Sequence, residues 1–560
     1  MRAFRLLLLC VFFGLPWAQI EAGSSFLIVG VNSSNKCDDP SLYKTCDGDL
    51  YGKIFFSFRP QDSDSSRRIL GWFNADYIEP VLKNSYMVTI SPQYTRSFDT
   101  NGIAQWFFFN GCNKMTVGIP NEYEVFDIDG SQIGLSLGTL YDPETDSVSL
   151  TAGKIGTVRA QPLVENFIVD LDFWCDLSAW REKLWLRLEM PVVYMKTNMH
   201  MRASGRGSQA DAYPLGLFSL QSTTIDDYGD QVCGETPVPY SSILCALEGN
   251  QGWGAVEPLK SGKFSARELS KWGVAGLHLD LGYDFYKSEP WYAAGSLHVV
   301  FPTGTKPKGT YVLEPVIGAN KSWQLGGTVI ANYVKEFKHS ELGIYFYAVG
   351  THLFRSKQER VFSLLANGPG SQLLLLKQFN AANTELLSAP REANIFCGET
   401  KIGSTLMFDG SLMLQYSRKR FVADVGYNYW IRTKERRSNK VFLREFADEI
   451  FGIKGSLQMK EISDVGGIYA PLICNYNLTT DSTATIAGDS LEVDDPAIFI
   501  QASDVNYGSA LAPTSMSNKV FGAIGFKSKW FALLCGEAEF GMNNAAITQW
   551  GVMLKLGREF

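Results

Sequence analysis

The sequence predicts an all-β fold: an antiparallel up-and-down β-barrel that crosses a membrane, with about 16 strands and bounds of about 14 and 18. Three observations predict it. Apolar and polar residues alternate along many segments of roughly ten residues, the period that puts successive side chains on opposite faces of a strand. Beyond the N-terminal leader, no stretch approaches the ~18 consecutive apolar residues of a helical span. The connections between alternating segments are short and long by turns.

Composition bounds the class. The chain has 560 residues, 45% hydrophobic, 13% aromatic and 19% charged, which argues against disorder. A net charge of −7 gives nucleic acid no basic footprint, so no nucleic-acid partner is expected. Mean hydropathy near zero excludes a polytopic helical membrane protein. Gly and Pro recur without a fixed period, which excludes a coiled-coil or collagen-like rod.

Residues 1–22 read as a signal peptide. Arg2 and Arg5 precede the apolar run Leu6 to Ala18, and Ile20-Glu21-Ala22 precedes Gly23. Cys10 follows Leu9, where lipidation would want a small residue. Export permits disulfides. Cys37 with Cys46, and Cys233 with Cys245, each bracket a polar loop and are the preferred pairs. Without Cys10 the cysteine count is odd, so at least one thiol is free or joins another chain. Residues 23–50 form a periplasmic segment or a small plug, and 51–560 the barrel.

The strands are read in order. Candidates lie near 52–59, 85–95 and 130–140, and amphipathic runs at 164–174, 184–195, 322–334 and 519–541. Leu277, Leu279, Leu281, Tyr283 and Phe285 alternate with His278, Asp280, Gly282 and Asp284. Trp291 to Phe301 follows the tight 287–290 turn. Leu406 to Tyr416 and Phe421 to Ile431 repeat the pattern across the 417–420 turn. Parity requires one more strand near 467–474. In the last segment Trp550, Val552, Leu554, Leu556 and Phe560 share the apolar face, opposite Gln549, Lys555 and Glu559. This resembles the C-terminal assembly signal of Gram-negative outer-membrane β-barrels, with Arg558 departing from the usual apolar residue. The resemblance implies an outer-membrane location, outer-membrane lipid around the wall and the barrel-assembly machinery as a partner. Counted back from Phe560, the turns at 175–183, 287–290, 335–340, 417–420 and 527–529 fall on the periplasmic side. The long loops 196–270, 303–321, 355–403 and 475–518 then face outward, as such barrels show. Two short helices are expected in the 196–270 loop, one over Ser242 to Gly249 and one opened by a Ser265-Ala266-Arg267-Glu268 capping box.

No catalytic motif stands in a supporting context, so no enzyme is expected, and no cofactor. With five His and no CxxC, no metal site is expected either. Asp280, Asp284, Asp409, Asp424, Arg432, Glu537, Glu539 and Lys555 lie on the polar strand faces and are expected to line the pore. The carboxylate pairs Asp170/Asp172 and Glu537/Glu539 read as lumen lining. The expected function is a channel for passive diffusion of small polar solutes or ions, weakly cation-preferring because acids dominate that list. A homo-oligomer is left open. Phe301-Pro302-Thr303-Gly304-Thr305 after a strand resembles a motif of hydrophobic-compound channels related to the long-chain fatty-acid transporter family. That resemblance implies the alternative, a gated transporter for apolar solutes, which an N-terminal plug would support. A third class is a structural or adhesive surface barrel.

Overall fold

Twelve of the alternating segments become strands of one closed sheet. The computed structural model describes residues 51–71 and 86–560, apart from 120–125, 206–239, 381–385, 455–495 and some shorter stretches. The barrel strands are β1 (Tyr86–Ser97), β2 (Leu163–Asp176), β3 (Leu184–Asn198), β4 (Leu277–Ser288), β5 (Trp291–Phe301) and β6 (Gln324–Phe337). They continue as β7 (Ser340–Val361), β8 (Cys397–Arg418), β9 (Phe421–Arg432), β10 (Ser515–Phe526), β11 (Trp530–Gly541) and β12 (Gln549–Glu559). Each pairs antiparallel with the next, and β12 closes on β1. Closure leaves no ladder unpaired, the condition for a sheet in lipid.

The expected count of about 16 is therefore corrected to twelve. The expectation rests on segments of roughly ten residues, but β7 and β8 each run 22 and continue past the barrel wall. Residues 52–59 form no strand and pass into the lumen instead. Among the described residues near 130–140 the strands are Ile128–Asp129 and the start of Thr139–Asp142, both outside the barrel. The candidate at 467–474 lies outside the described residues, and the ring closes without it. Residues 1–50 lie outside them as well, so the expected signal peptide and 23–50 segment are not described.

Alternation sorts the two faces. Val425 and Tyr427 of β9 point outward, half exposed, while Asp424 and Asn428 on either side of them are buried inside. In β12, Trp550, Val552, Leu554 and Leu556 all face outward. Rings mark both borders of this apolar belt: Tyr86 stacks on Phe560 at 4.9 Å at one end, and Phe301 meets Trp323 at 5.1 Å at the other. Arg558 keeps its outward place by lying over the Trp530 and Phe560 rings, at 4.6 and 4.4 Å. The five turns expected to be short are short and share one end of the barrel. The connections after β1, β3, β5, β7 and β9 are long and leave from the other.

Those long connections pack over the mouth. Helix α2 (Thr100–Phe107) begins at Asp99, whose side chain accepts from Gly102 N, and buries Ile103, Ala104, Trp106 and Phe107 on one face. Helix α3 (Ile243–Glu248) is capped as expected, by Ser242 at its start and by the left-handed Gly249 at its end. Ser265–Glu268 opens no helix, contrary to expectation. Ser265 Oγ accepts from Arg267 N at 3.2 Å in a turn, and the chain then pairs as Leu269–Val274 with β3. Cross-strand pairing of the alternating residues that follow outweighs the cap. The expected Cys233–Cys245 bond is not formed: Cys245 sits in α3 with an exposed free thiol. Cys37, Cys46 and Cys233 lie outside the described residues.

Glu392 is wholly buried in one of these loops. Burial holds its carboxyl well above the ordinary range, against the lowering effect of a hydrogen bond from Ser371 Oγ at 2.9 Å. The folded loop thus favours the neutral acid. That stabilisation is complete below the ordinary carboxylate range and is lost as pH rises through the raised value. Resistance of the outer loops to protease should fall at alkaline pH in the wild type and stay flat in Glu392→Gln. Parallel pH profiles would contradict this.

Candidate functional site

The segment after residue 50 enters the barrel and fills it. Its sequence, Ser57-Phe58-Arg59-Pro60-Gln61-Asp62-Ser63-Asp64-Ser65-Ser66-Arg67-Arg68-Ile69-Leu70-Gly71, is polar in the middle and apolar at both ends. Ser63 N bonds Pro60 O, turning the chain. Asp64 then caps the short helix α1 (Ser65–Ile69) by accepting from Ser66 N at 3.1 Å. Five residues are too few for a helix stable on its own, so the barrel wall must hold it. Arg67 and Arg68 fall in its last turn, where cations suit the helix dipole.

Three layers form along the barrel axis. Toward the long loops, Ile54, Phe56 and Phe58 pack with Trp106, Phe107, Val193 and Met195 in one apolar core. Phe56 meets Trp106 edge-on at 5.4 Å, and Trp106 Nε1 donates to Phe55 O at 2.7 Å. Toward the short turns, Ile69 and Leu70 pack with Trp174, Trp185, Tyr347, Phe531 and Leu533.

The middle layer is ionic and closely packed. Arg59 donates to Glu539 at 2.7 Å and to Asp409 at 2.9 Å. Arg67 donates to Asp170 at 2.9 Å and to Gln93 at 3.0 Å. Arg68 donates to Glu189 at 2.6 Å, and Glu189 also lies 3.6 Å from Arg67. Lys519 joins Asp64 at 2.9 Å to Glu537 at 3.3 Å. Lys555 donates to Arg67 O at 2.8 Å. His278 Nε2 lies 3.2 Å from Asp62, and His298 Nδ1 lies 2.8 Å from Asp280. In the wall itself, Arg187 holds Asp172 through two bonds of 2.8 Å.

All eight residues expected to line a pore lie buried on the inward face. Asp409, Glu539, Lys555 and Arg432 bond the inserted segment directly; Arg432 Nη1 donates to Ser57 Oγ at 2.7 Å. Glu537 is tied to it through Lys519. Asp280 bonds His298, Ser296 and Thr328 of the wall. Asp284 and Asp424 lie nearer the short turns and make no hydrogen bond to the segment; Tyr292 donates to Asp284 at 2.6 Å. Sequence reasoning missed Arg59, Arg67 and Arg68. The signal available was the excess of acids on inward faces, which in a dry lumen demands cations from elsewhere.

The remaining space is small. The cavity beside Arg59, Gln61, Arg67, Lys519 and Glu537 holds about 50 Å³, room for a few waters. Among the described residues no group of three or more metal-ligating side chains occurs.

A closed sheet with a lipid-facing belt and a polar, filled interior defines a transmembrane β-barrel of the outer-membrane type. No family model matches the chain, and no curated protein is similar to it. Among solved structures it is similar to an outer membrane channel of Pseudomonas putida F1 at 10% identity and TM-score 0.32, over 87% of this chain and 98% of that one. It is also similar to a FadL homologue of Pseudomonas aeruginosa at 7% identity and TM-score 0.26, over 92% and 98% of the two chains. The toluene transporter of Ralstonia pickettii matches at 8% identity and TM-score 0.22, over 85% and 89%. With scores this low, the class rests on the closed sheet and its belt.

Removing one partner of a buried pair leaves the other charge uncompensated. Arg67→Ala should therefore weaken docking of the segment by about 3–5 kcal/mol. Thiol labelling of Ser66→Cys, buried in the folded chain, should accelerate when Arg67→Ala is added. Unchanged labelling would show that the ion pairs do not hold the segment.

Proposed function

We propose that this chain is a plugged outer-membrane transporter for hydrophobic compounds, opened by displacement of residues 51–71. The filled lumen carries the reading. An open diffusion pore would leave its charged wall to water, whereas here Asp409, Glu539, Asp170, Glu189 and Lys555 bond the segment.

The mouth supports an apolar solute. Beneath the long loops, the layer above the ion pairs is a packed core of aromatic and aliphatic side chains, an environment suited to an apolar solute once the segment moves. Phe301-Pro302-Thr303-Gly304-Thr305, which resembles the hydrophobic-channel motif, has a mechanical part in this. Thr305 N bonds Ile317 O at 2.8 Å, and a Cβ on Gly304 would come within 2.4 Å of that same oxygen. The close approach shapes the 302–323 loop, which then grips the plug: Gln61 donates to Val316 O at 3.4 Å and accepts from Gly318 N at 2.8 Å. Motif, mouth loop and plug thus form one connected unit. Passive diffusion of polar solutes is the weaker reading, since Asp409, Glu539, Arg432 and Lys555 of the wall are bonded to the segment.

Planar-bilayer recordings and uptake assays test this together. The intact chain should be electrically silent, and deletion of residues 51–71 should open discrete conductance. Cells carrying the intact chain should take up a small aromatic hydrocarbon faster than cells without it, with no gain for a polar sugar of similar size. Steady ion conductance by the intact chain, or sugar uptake alone, would overturn the proposal.

A further inference from the structure

Above the lipid-facing belt, β7 and β8 continue as a two-stranded ribbon, and Glu435–Phe442 adds a third strand on the far side of β8. The outward face of this ribbon gathers cations. Lys357 stands directly opposite Lys401 across the β7–β8 ladder. Arg436 stands opposite Gly403, and a Cβ on Gly403 would lie within 3.0 Å of the Arg355 backbone on the other side. All four cations are exposed. Glu399 lies among them, paired with Lys357 at 2.8 Å and Lys306 at 3.9 Å. Among the described residues, Arg355, Lys401 and Arg436 have no carboxylate within ion-pair distance.

Like charges directly across a ladder destabilise a sheet. Two bulges turn this face: one between Thr351 and Leu353, the other between Leu353 and Ser356. They expose Phe354 and Arg355 together. Phe354 and Trp323 stand just below, half exposed, with Phe354 N bonded to Trp323 O at 2.9 Å. Rings of this kind mark the border between hydrocarbon and headgroups. The cations therefore sit at headgroup height, within reach of whatever charge the lipid carries.

We infer that this row binds the phosphate groups of an anionic lipid in the leaflet facing the long loops. Lysine and arginine donate charge-assisted bonds to phosphate oxygens, and acyl chains below would lie against Phe354 and Trp323. Glu359 and Glu399 stand opposite each other two residues farther along the same face, and Glu399 is taken up by Lys357 and Lys306, so the phosphate supplies the partner that Arg355, Lys401 and Arg436 lack among the described residues. The inference stands apart from the transport reading and needs only the belt and the ribbon.

The full-length chain in detergent micelles, titrated with lipid A and followed by native mass spectrometry, tests it. Lipid A should remain bound, its dephosphorylated form should bind about tenfold more weakly, and Lys401→Gln with Arg436→Gln should lose a similar factor. Each single variant should lose part of it, and retained heat-modifiability on gels will show that the barrels are folded. Equal binding of both lipid forms, or undiminished binding by folded variants, would overturn the site. Displacement by inorganic phosphate at matching concentration would make it a free-anion site and overturn the lipid assignment.

Discussion

The structure depends on one electrostatic constraint: cations and carboxylates that share a closed lumen must meet inside it. A twelve-strand ring is wider than the eight-strand barrels that side chains fill, and narrower than the ~16-strand rings that leave an aqueous channel. A peptide segment fits there, with wall side chains around it. Once water is excluded, each of Arg59, Arg67 and Arg68 requires a carboxylate, and Asp409, Asp170, Glu189 and Glu539 require a cation. Neither wall nor segment is satisfactory alone. The pairs also set register, because a shift of the segment by one residue would misplace three guanidinium groups at once.

The apolar layers on either side close this arrangement off above and below. Ile69 and Leu70 are wholly buried below it, and burial of side chains of that size stabilises by about 1.5–3 kcal/mol each. Above it, Phe56 and Phe58 pack in one core with Trp106 and Phe107 of α2, so the segment is in contact with the mouth. Displacement must separate apolar contacts at both ends and ion pairs in the middle. On the transport reading proposed above, opening is rare and needs some input of free energy.

Much of the wall was legible in the sequence, for a simple reason. Lipid outside and polar contacts inside impose the same period on every strand, so Val425 against Asp424, or Leu554 against Lys555, declares its face. Turns such as 417–420 were legible because the period breaks there within a few residues. The strand number was not, because alternation in Lys53 to Phe58 imitates a strand, and because nothing local marks how far β7 and β8 extend. The two bulges in the β7–β8 ladder reverse the faces beyond Thr405, so periodicity alone misassigns Lys401 and Glu399. A plug was expected only within residues 23–50, and the part of residues 51–71 was hidden for a different reason. A run such as Ser65-Ser66-Arg67-Arg68 has the composition of a solvated loop, and only tertiary pairing buries it.

The acid excess on the inward faces shows how one charge pattern can have two physical causes. In a wet pore it would attract mobile cations and bias selectivity. Here cations of the same chain occupy those positions: Arg59 lies between Asp409 and Glu539, and Glu189 between Arg67 and Arg68. A fixed guanidinium in a fork geometry outcompetes a mobile ion because its desolvation is shared with the fold and its bonds are aimed. The carboxylates would act as an ion filter only with the segment gone, so the closed state and any open state must differ in selectivity as well as in conductance.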